Sequence, residues 1–127
     1  MHGSELGPVI GRGWATIDLG RAIVERTPDL APGSTFEPAP PSAALGATCL
    51  RGRAADGGDW IVLLEPATEG PISAYLARHG EGWAATWHAT EQQRDLAPGP
   101  LGAEALDPGV PRWGPFRLRA VAATIAR

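Results

Sequence analysis

Seventeen glycines and thirteen prolines, nearly a quarter of the 127 residues, interrupt this chain so often that it stands just under the level at which disorder becomes the default. Five tryptophans and a hydrophobic content of 43% argue the other way, for a packed core joined by long loops. The length, with a mass of 13.2 kDa, suits one compact domain. Eleven basic residues, every one arginine, face fourteen acidic ones, and the resulting charge of −3 is too near neutrality for a nucleic-acid or membrane-surface binder. Cys49 is the only cysteine, which excludes an internal disulfide and makes a reduced cytoplasm the simpler home. The longest apolar runs, such as 61–64, fall far short of the ~20 residues of a membrane span, and no signal segment opens the chain, so a soluble intracellular protein is expected.

Residues 9–17 alternate loosely as a strand, and Asp18 can cap a short helix over 19–26 that Pro28 stops. Five prolines between 28 and 42 predict a long irregular loop with Phe36 as its large apolar anchor. Segments 45–54 and 60–65, separated by the cluster Ala55, Asp56, Gly57, Gly58 and Asp59, read as an antiparallel hairpin. Pro71 opens and Gly80 closes a helix over 71–79, with Ile72, Tyr75 and Leu76 at helical spacing. A strand over 83–89 follows, then a short helix over 91–97 from the capping-box spacing of Thr90 and Gln93, then one or two strands within 113–125. The order is α+β. Gly13-Trp14-Ala15-Thr16 is faintly echoed by Gly82-Trp83-Ala84-Ala85-Thr86, as in two related modules.

The run Leu63-Leu64-Glu65-Pro66, then Gly70-Pro71-Ile72, Tyr75-Leu76 and His79-Gly80-Glu81-Gly82, resembles the linker of the vicinal oxygen chelate superfamily, which includes the glyoxalases and bleomycin-resistance proteins. It is most similar to the methylmalonyl-CoA epimerase branch, and Gly13 to Ile23 also fits that pattern. The resemblance is strong over about 61–85 and elsewhere rests on element order. It implies two βαβββ modules, about 8–66 and 81–127, joined by a linker helix within 67–80, with a curled mixed sheet around a small-molecule cup. It also implies a homodimer, which would cover apolar strand edges. Metal-dependent members hold a divalent ion on four side chains. The matching positions here are Gly11, Val62, Ala84 and Leu118, none of which can ligate a metal, so no metal or other cofactor is expected.

Strand alternation puts His88 on the same face as Ala84 and Thr86, the expected cup side, where an imidazole could act as general acid or base. The plainer reading is a hydrogen-bonded histidine at a strand end. Glu65 ends an apolar strand and could sit at the cup rim as a second acid or base, or simply be solvated. Trp60, Trp113 and Phe116 are candidates for stacking on a flat ligand, with Thr86 beside Trp60 and Phe116, whereas Trp14, Trp83 and Trp87 are expected on the opposite face beneath the helices. Arg51 and Arg53 share a strand face and could hold a carboxylate or phosphate, although arginine also does all ordinary basic surface work here. Two function classes follow. One is a metal-independent isomerase, cyclase or lyase, of secondary metabolism for instance, with His88 or Glu65 moving protons. The other is a sequestering protein for a drug or metabolite, with no catalytic group.

Overall fold

The structure, a computed structural model, describes residues 7–56, 59–91, 94–109 and 111–121. Seven strands form one mixed sheet: β1 (Val9–Ala15), β2 (Glu37–Ser42), β3 (Ala47–Arg53), β4 (Trp60–Pro66), β5 (Gly82–Ala89), β6 (Glu104–Leu106) and β7 (Phe116–Ala120). Two α-helices, α1 (Leu19–Arg26) and α2 (Pro71–His79), and a 3-10 turn (Thr27–Asp29) complete the described elements. The strand order is β2-β3-β4-β1-β5-β7-β6, with β1/β4 and β5/β7 parallel and the other pairs antiparallel. None of the helices described is long and apolar enough to cross a membrane.

Local chemistry sets both helices where the sequence places them. The Asp18 carboxylate accepts the Arg21 backbone N–H at 3.1 Å and caps α1. Pro71 takes the first turn of α2, and Gly80, at φ 77°, makes the left-handed exit that a side chain would strain. Glu81 then ties α1 to the start of β5. Its carboxylate accepts from Arg21 Nη1 and Nη2 (2.9 and 2.6 Å), from the Thr16 hydroxyl and from the Ile17 amide. The Arg21 hydrogen bond above all holds its pKa down at about 2.

Two expected elements differ. Residues 37–42 form strand β2 despite Pro38, Pro40 and Pro41, because β2 lies at the sheet's edge, where a missing N–H breaks no ladder. No helix forms among the described residues of 91–97; residues 92 and 93 lie outside them. There Asp95 turns the chain at φ 60°, and Ala97 exchanges backbone hydrogen bonds of 2.8 and 2.7 Å with Glu104. This extended pairing outcompetes the one helical turn that the caps could support. The expected C-terminal strand is β7, and residues 122–127 lie outside the described set.

The sheet curls until its first and last strands meet. Ser42 of β2 donates its hydroxyl to Glu104 of β6 at 2.5 Å, the Ala43 amide bonds the Pro98 carbonyl at 3.1 Å, and Arg51 Nη1 bonds the Pro100 carbonyl at 2.6 Å. These bonds fasten the two ends of the sheet to each other. The main core lies on the inner, concave face, where Ala47, Cys49, Val62, Leu64, Ala85, Trp87, Phe116 and Leu118 pack with Leu45 and with Ile72 and Tyr75 of α2. Burial pushes the Cys49 thiol up to about 12. Cys49 is accordingly expected to ignore thiol reagents in the native state and to react only on unfolding, which a thiol assay with and without denaturant would check.

Face assignment turns on one irregularity. Gly13 pairs with Ala85 but Trp14 pairs with Trp83, so β5 carries one extra residue, Ala84, at a bulge. The bulge reverses the simple alternation of the strand. Trp14 and Trp83 meet edge to face on the outer face at 5.2 Å between ring centroids, with Arg26 of α1 stacked 4.6 Å over Trp14. Trp87, expected beside them, lies instead on the inner face, where a Cβ on Gly13 would come within 2.9 Å of its ring.

Candidate functional site

The middle of the inner face is closed. Trp87, Leu101 and Leu118 are fully buried on it, and Leu101, carried by the segment between β5 and β6, lies where a side chain on Gly11 would project. Within it stands the Glu104 carboxyl, with no cation in ion-pair distance among the described residues. Glu104 is 0% exposed, and its Oε1 accepts the Trp87 indole N–H at 2.8 Å while Oε2 accepts the Ser42 hydroxyl. Burial raises its pKa against the opposing pull of the Ser42, Trp87 and Ala44 hydrogen bonds. Glu104 therefore fastens the sheet edges across the core.

The residues expected to share one cavity are divided. Thr86 pairs with Arg12 and Arg117, and His88 with Val9 and Arg119, which places both on the outer face. His88 Nδ1 is 3.0 Å from the Gly7 carbonyl, a pure acceptor, so Nδ1 carries a proton; Nε2 lies 3.1 Å from the Thr86 hydroxyl. Phe116 is buried in the core beside Tyr75, at 6.4 Å between centroids, with no face left for a ligand. Glu65 pairs with Thr48 and stands at the far end of β4 from Trp60, about 17 Å away at an extended strand's rise.

Trp60, Arg51 and Arg53 do come together. Register places Arg53 opposite Trp60 and Arg51 opposite Val62, and the two guanidinium carbons lie 4.1 and 5.0 Å from the Trp60 ring centroid. They line an open cleft of about 310 Å³ whose other walls include Ser34, Thr35, Glu37 and Pro38. Glu37 is the cross-strand partner of Arg51 and accepts the Thr35 hydroxyl at 2.6 Å. Two cations, one carboxylate and an indole thus surround a space large enough for a small organic molecule. Glu37 and Thr35 escape a sequence reading because the prolines disguise β2 as a loop; once β2 is a strand, its pairing with β3 brings Glu37 beside Arg51.

The curled sheet and its strand order define the class: this is the vicinal oxygen chelate fold. Among the solved structures it matches is methylmalonyl-CoA epimerase from Mycobacterium tuberculosis, at a TM-score of 0.73 and 15% identity, covering 97% of this chain and 93% of that one. A variant of the Streptomyces coelicolor methylmalonyl-CoA epimerase, in complex with 2-nitronate-propionyl-CoA, matches at 0.69 and 17%, covering 94% and 99%. A hypothetical protein from Bacillus halodurans matches at 0.65 and 15%, covering 87% and 91%. No protein-family profile matches the sequence, and no characterised protein matches it by sequence.

The positions that the resemblance matches to the metal ligands of the metal-dependent members do not suit a divalent ion. Gly11, Val62, Ala84 and Leu118 offer no donor atoms, Leu101 covers Gly11, and among the described residues no three His, Cys, Asp or Glu side chains converge.

Proposed function

We propose that this protein binds a small organic anion, a carboxylate or a phosphate, in the cleft formed by Arg51, Arg53 and Trp60, and that it does so without a metal. The observation that supports this reading is the pair of guanidinium groups stacked against one indole at an open cleft. Stacking fixes the cations in place, so little side-chain freedom is lost when an anion docks. Charge-assisted hydrogen bonds to a carboxylate or phosphate are among the stronger contacts a small site can offer. The epimerase neighbours are named for acyl-CoA ligands, whose carboxylate and phosphate groups belong to the same chemical class.

A second reading, an acid–base enzyme in the same cleft, is favoured by Glu37. Its carboxylate lines the wall beside Arg51 and could accept a proton from a bound acid's α-carbon. His88 and Glu65 stand outside this cleft, so the catalytic role first considered for them passes to Glu37 in this reading.

Titration calorimetry with methylmalonyl-CoA, propionyl-CoA and small carboxylates tests the proposal. Arg53→Met, which keeps the stem over Trp60 and removes the charge, is expected to weaken the best of these at least tenfold, about 1.4 kcal/mol. No binding by any of them, or an affinity untouched by Arg53→Met, would overturn the reading. Glu37→Gln separates the alternatives: retained binding with lost proton exchange at the ligand's α-carbon supports the enzyme. A cytoplasmic home suits the single buried thiol. The homodimer belongs to this proposal on resemblance alone, and light scattering that gives a mass near 13.2 kDa would count against it.

A further inference from the structure

The outer face carries a second cleft, of about 480 Å³, walled by Arg12, Arg26, Asp29, Asp56 and Trp83. None of the residues at the Trp60 cleft lines it. Its charge signature also differs. The Trp60 cleft sets two arginines against one glutamate, whereas the outer cleft sets two arginines against two aspartates. An anion gains nothing net from a balanced wall, and neither does a cation. A molecule with both charges does, provided each end meets its opposite.

We propose that this outer cleft is a binding site for a small zwitterion, with its carboxylate on Arg12 and its ammonium group on Asp29 and Asp56. The Arg12 guanidinium lies 4.6 Å over the Trp83 ring, and among the described residues no carboxylate stands within ion-pair distance of it. It is a cation held by stacking, with hydrogen-bonding edge to spare. Arg26 is stacked on Trp14 and touches Asp29 Oδ2 at 3.2 Å, but this is a charge contact without hydrogen-bond alignment. Asp29 Oδ2 and Arg26 Nε are both buried atoms with no hydrogen-bond partner among the described residues. Buried polar atoms are nearly always satisfied, so the Asp29 oxygen has acceptor capacity that an ammonium N–H would use. The T-shaped Trp14 and Trp83 pair keeps this wall rigid and supplies apolar surface for the ligand's body.

The test follows the five indole N–H resonances of the intact chain by NMR, with Trp83 assigned through Trp83→Phe. The zwitterions L-phenylalanine and 4-aminobutanoate are titrated to tens of millimolar, alongside 3-phenylpropanoate and phenethylamine, which each carry one of the two charges. At least one zwitterion should shift the Trp83 resonance saturably and bind at least tenfold more tightly than either singly charged compound. Arg12→Met and Asp56→Asn should each weaken that binding at least tenfold. Asp56 sits on a surface loop, so Asp56→Asn keeps the test decisive even where Arg12→Met disturbs β1. No saturable shift from either zwitterion, equal binding of the singly charged compounds, or full binding by Asp56→Asn would overturn the proposal.

Discussion

Replacing Trp87 with alanine is expected to destabilise the protein by about 3 to 5 kcal/mol, read as a fall in the urea midpoint at constant slope. The ring is fully buried in the core of the inner face, beside Gly13 and Leu64. The same change strips Glu104 Oε1 of its donor. Trp87→Phe goes far towards separating the two losses, because it keeps most of the aromatic bulk while removing the N–H. Its expected cost is about 1 to 3 kcal/mol, the range for a buried polar group left unpaired. If Trp87→Phe proves as stable as the wild type, the indole–carboxylate bond contributes nothing and Trp87 is packing alone.

The position of Trp87 also shows where sequence reasoning reached its end. Both helix boundaries are legible because they rest on local chemistry: a capping carboxylate at Asp18, a proline at 71 and a glycine at 80 with its left-handed turn. The β3–β4 hairpin is legible for the same reason, and with it the shared face of Arg51 and Arg53, whereas their meeting with Trp60 depends on the register. Strand β2 is not, since its prolines are tolerated only because β2 ends at an edge, and edge status belongs to the assembled sheet. The bulge at Ala84 leaves no mark in an alanine-rich strand, yet it moves Thr86 and His88 to the outer face with Trp83 and sends Trp87 to the inner one. Leu101 and Glu104 are harder still. Their roles arise when β6 swings round to β2, so that Ser42 and Glu104 meet across 62 positions of sequence, a separation that no local pattern encodes. The fold's cup was thus readable, and the residues that fill it were not.

Glu104 carries the other large effect. Glu104→Ala leaves the Trp87 N–H and the Ser42 hydroxyl unpaired in the core, at roughly 1 to 3 kcal/mol each, and opens the clasp between the sheet's edges. The pH dependence is more diagnostic than the size of the loss. Burial raises the folded pKa of Glu104 above its ordinary value, so between the two values the folded state holds a proton that the unfolded chain has already released. The stabilisation is then fully present below the ordinary carboxylate range and declines as pH rises through the raised folded value. Glu81 has the opposite sign: with its pKa lowered to about 2, its contribution is present above the ordinary range and fades only as pH falls towards that value. Because Glu81 is partly exposed to solvent, its share is small. Glu104→Gln mimics the neutral carboxyl, so the urea midpoints of variant and wild type, followed from mildly acid to mildly alkaline pH, should draw together in acid and separate in the variant's favour as pH rises. Parallel curves across that range would mean that the carboxyl is ionised alike in the folded and unfolded chains throughout it, and would overturn the raised folded value.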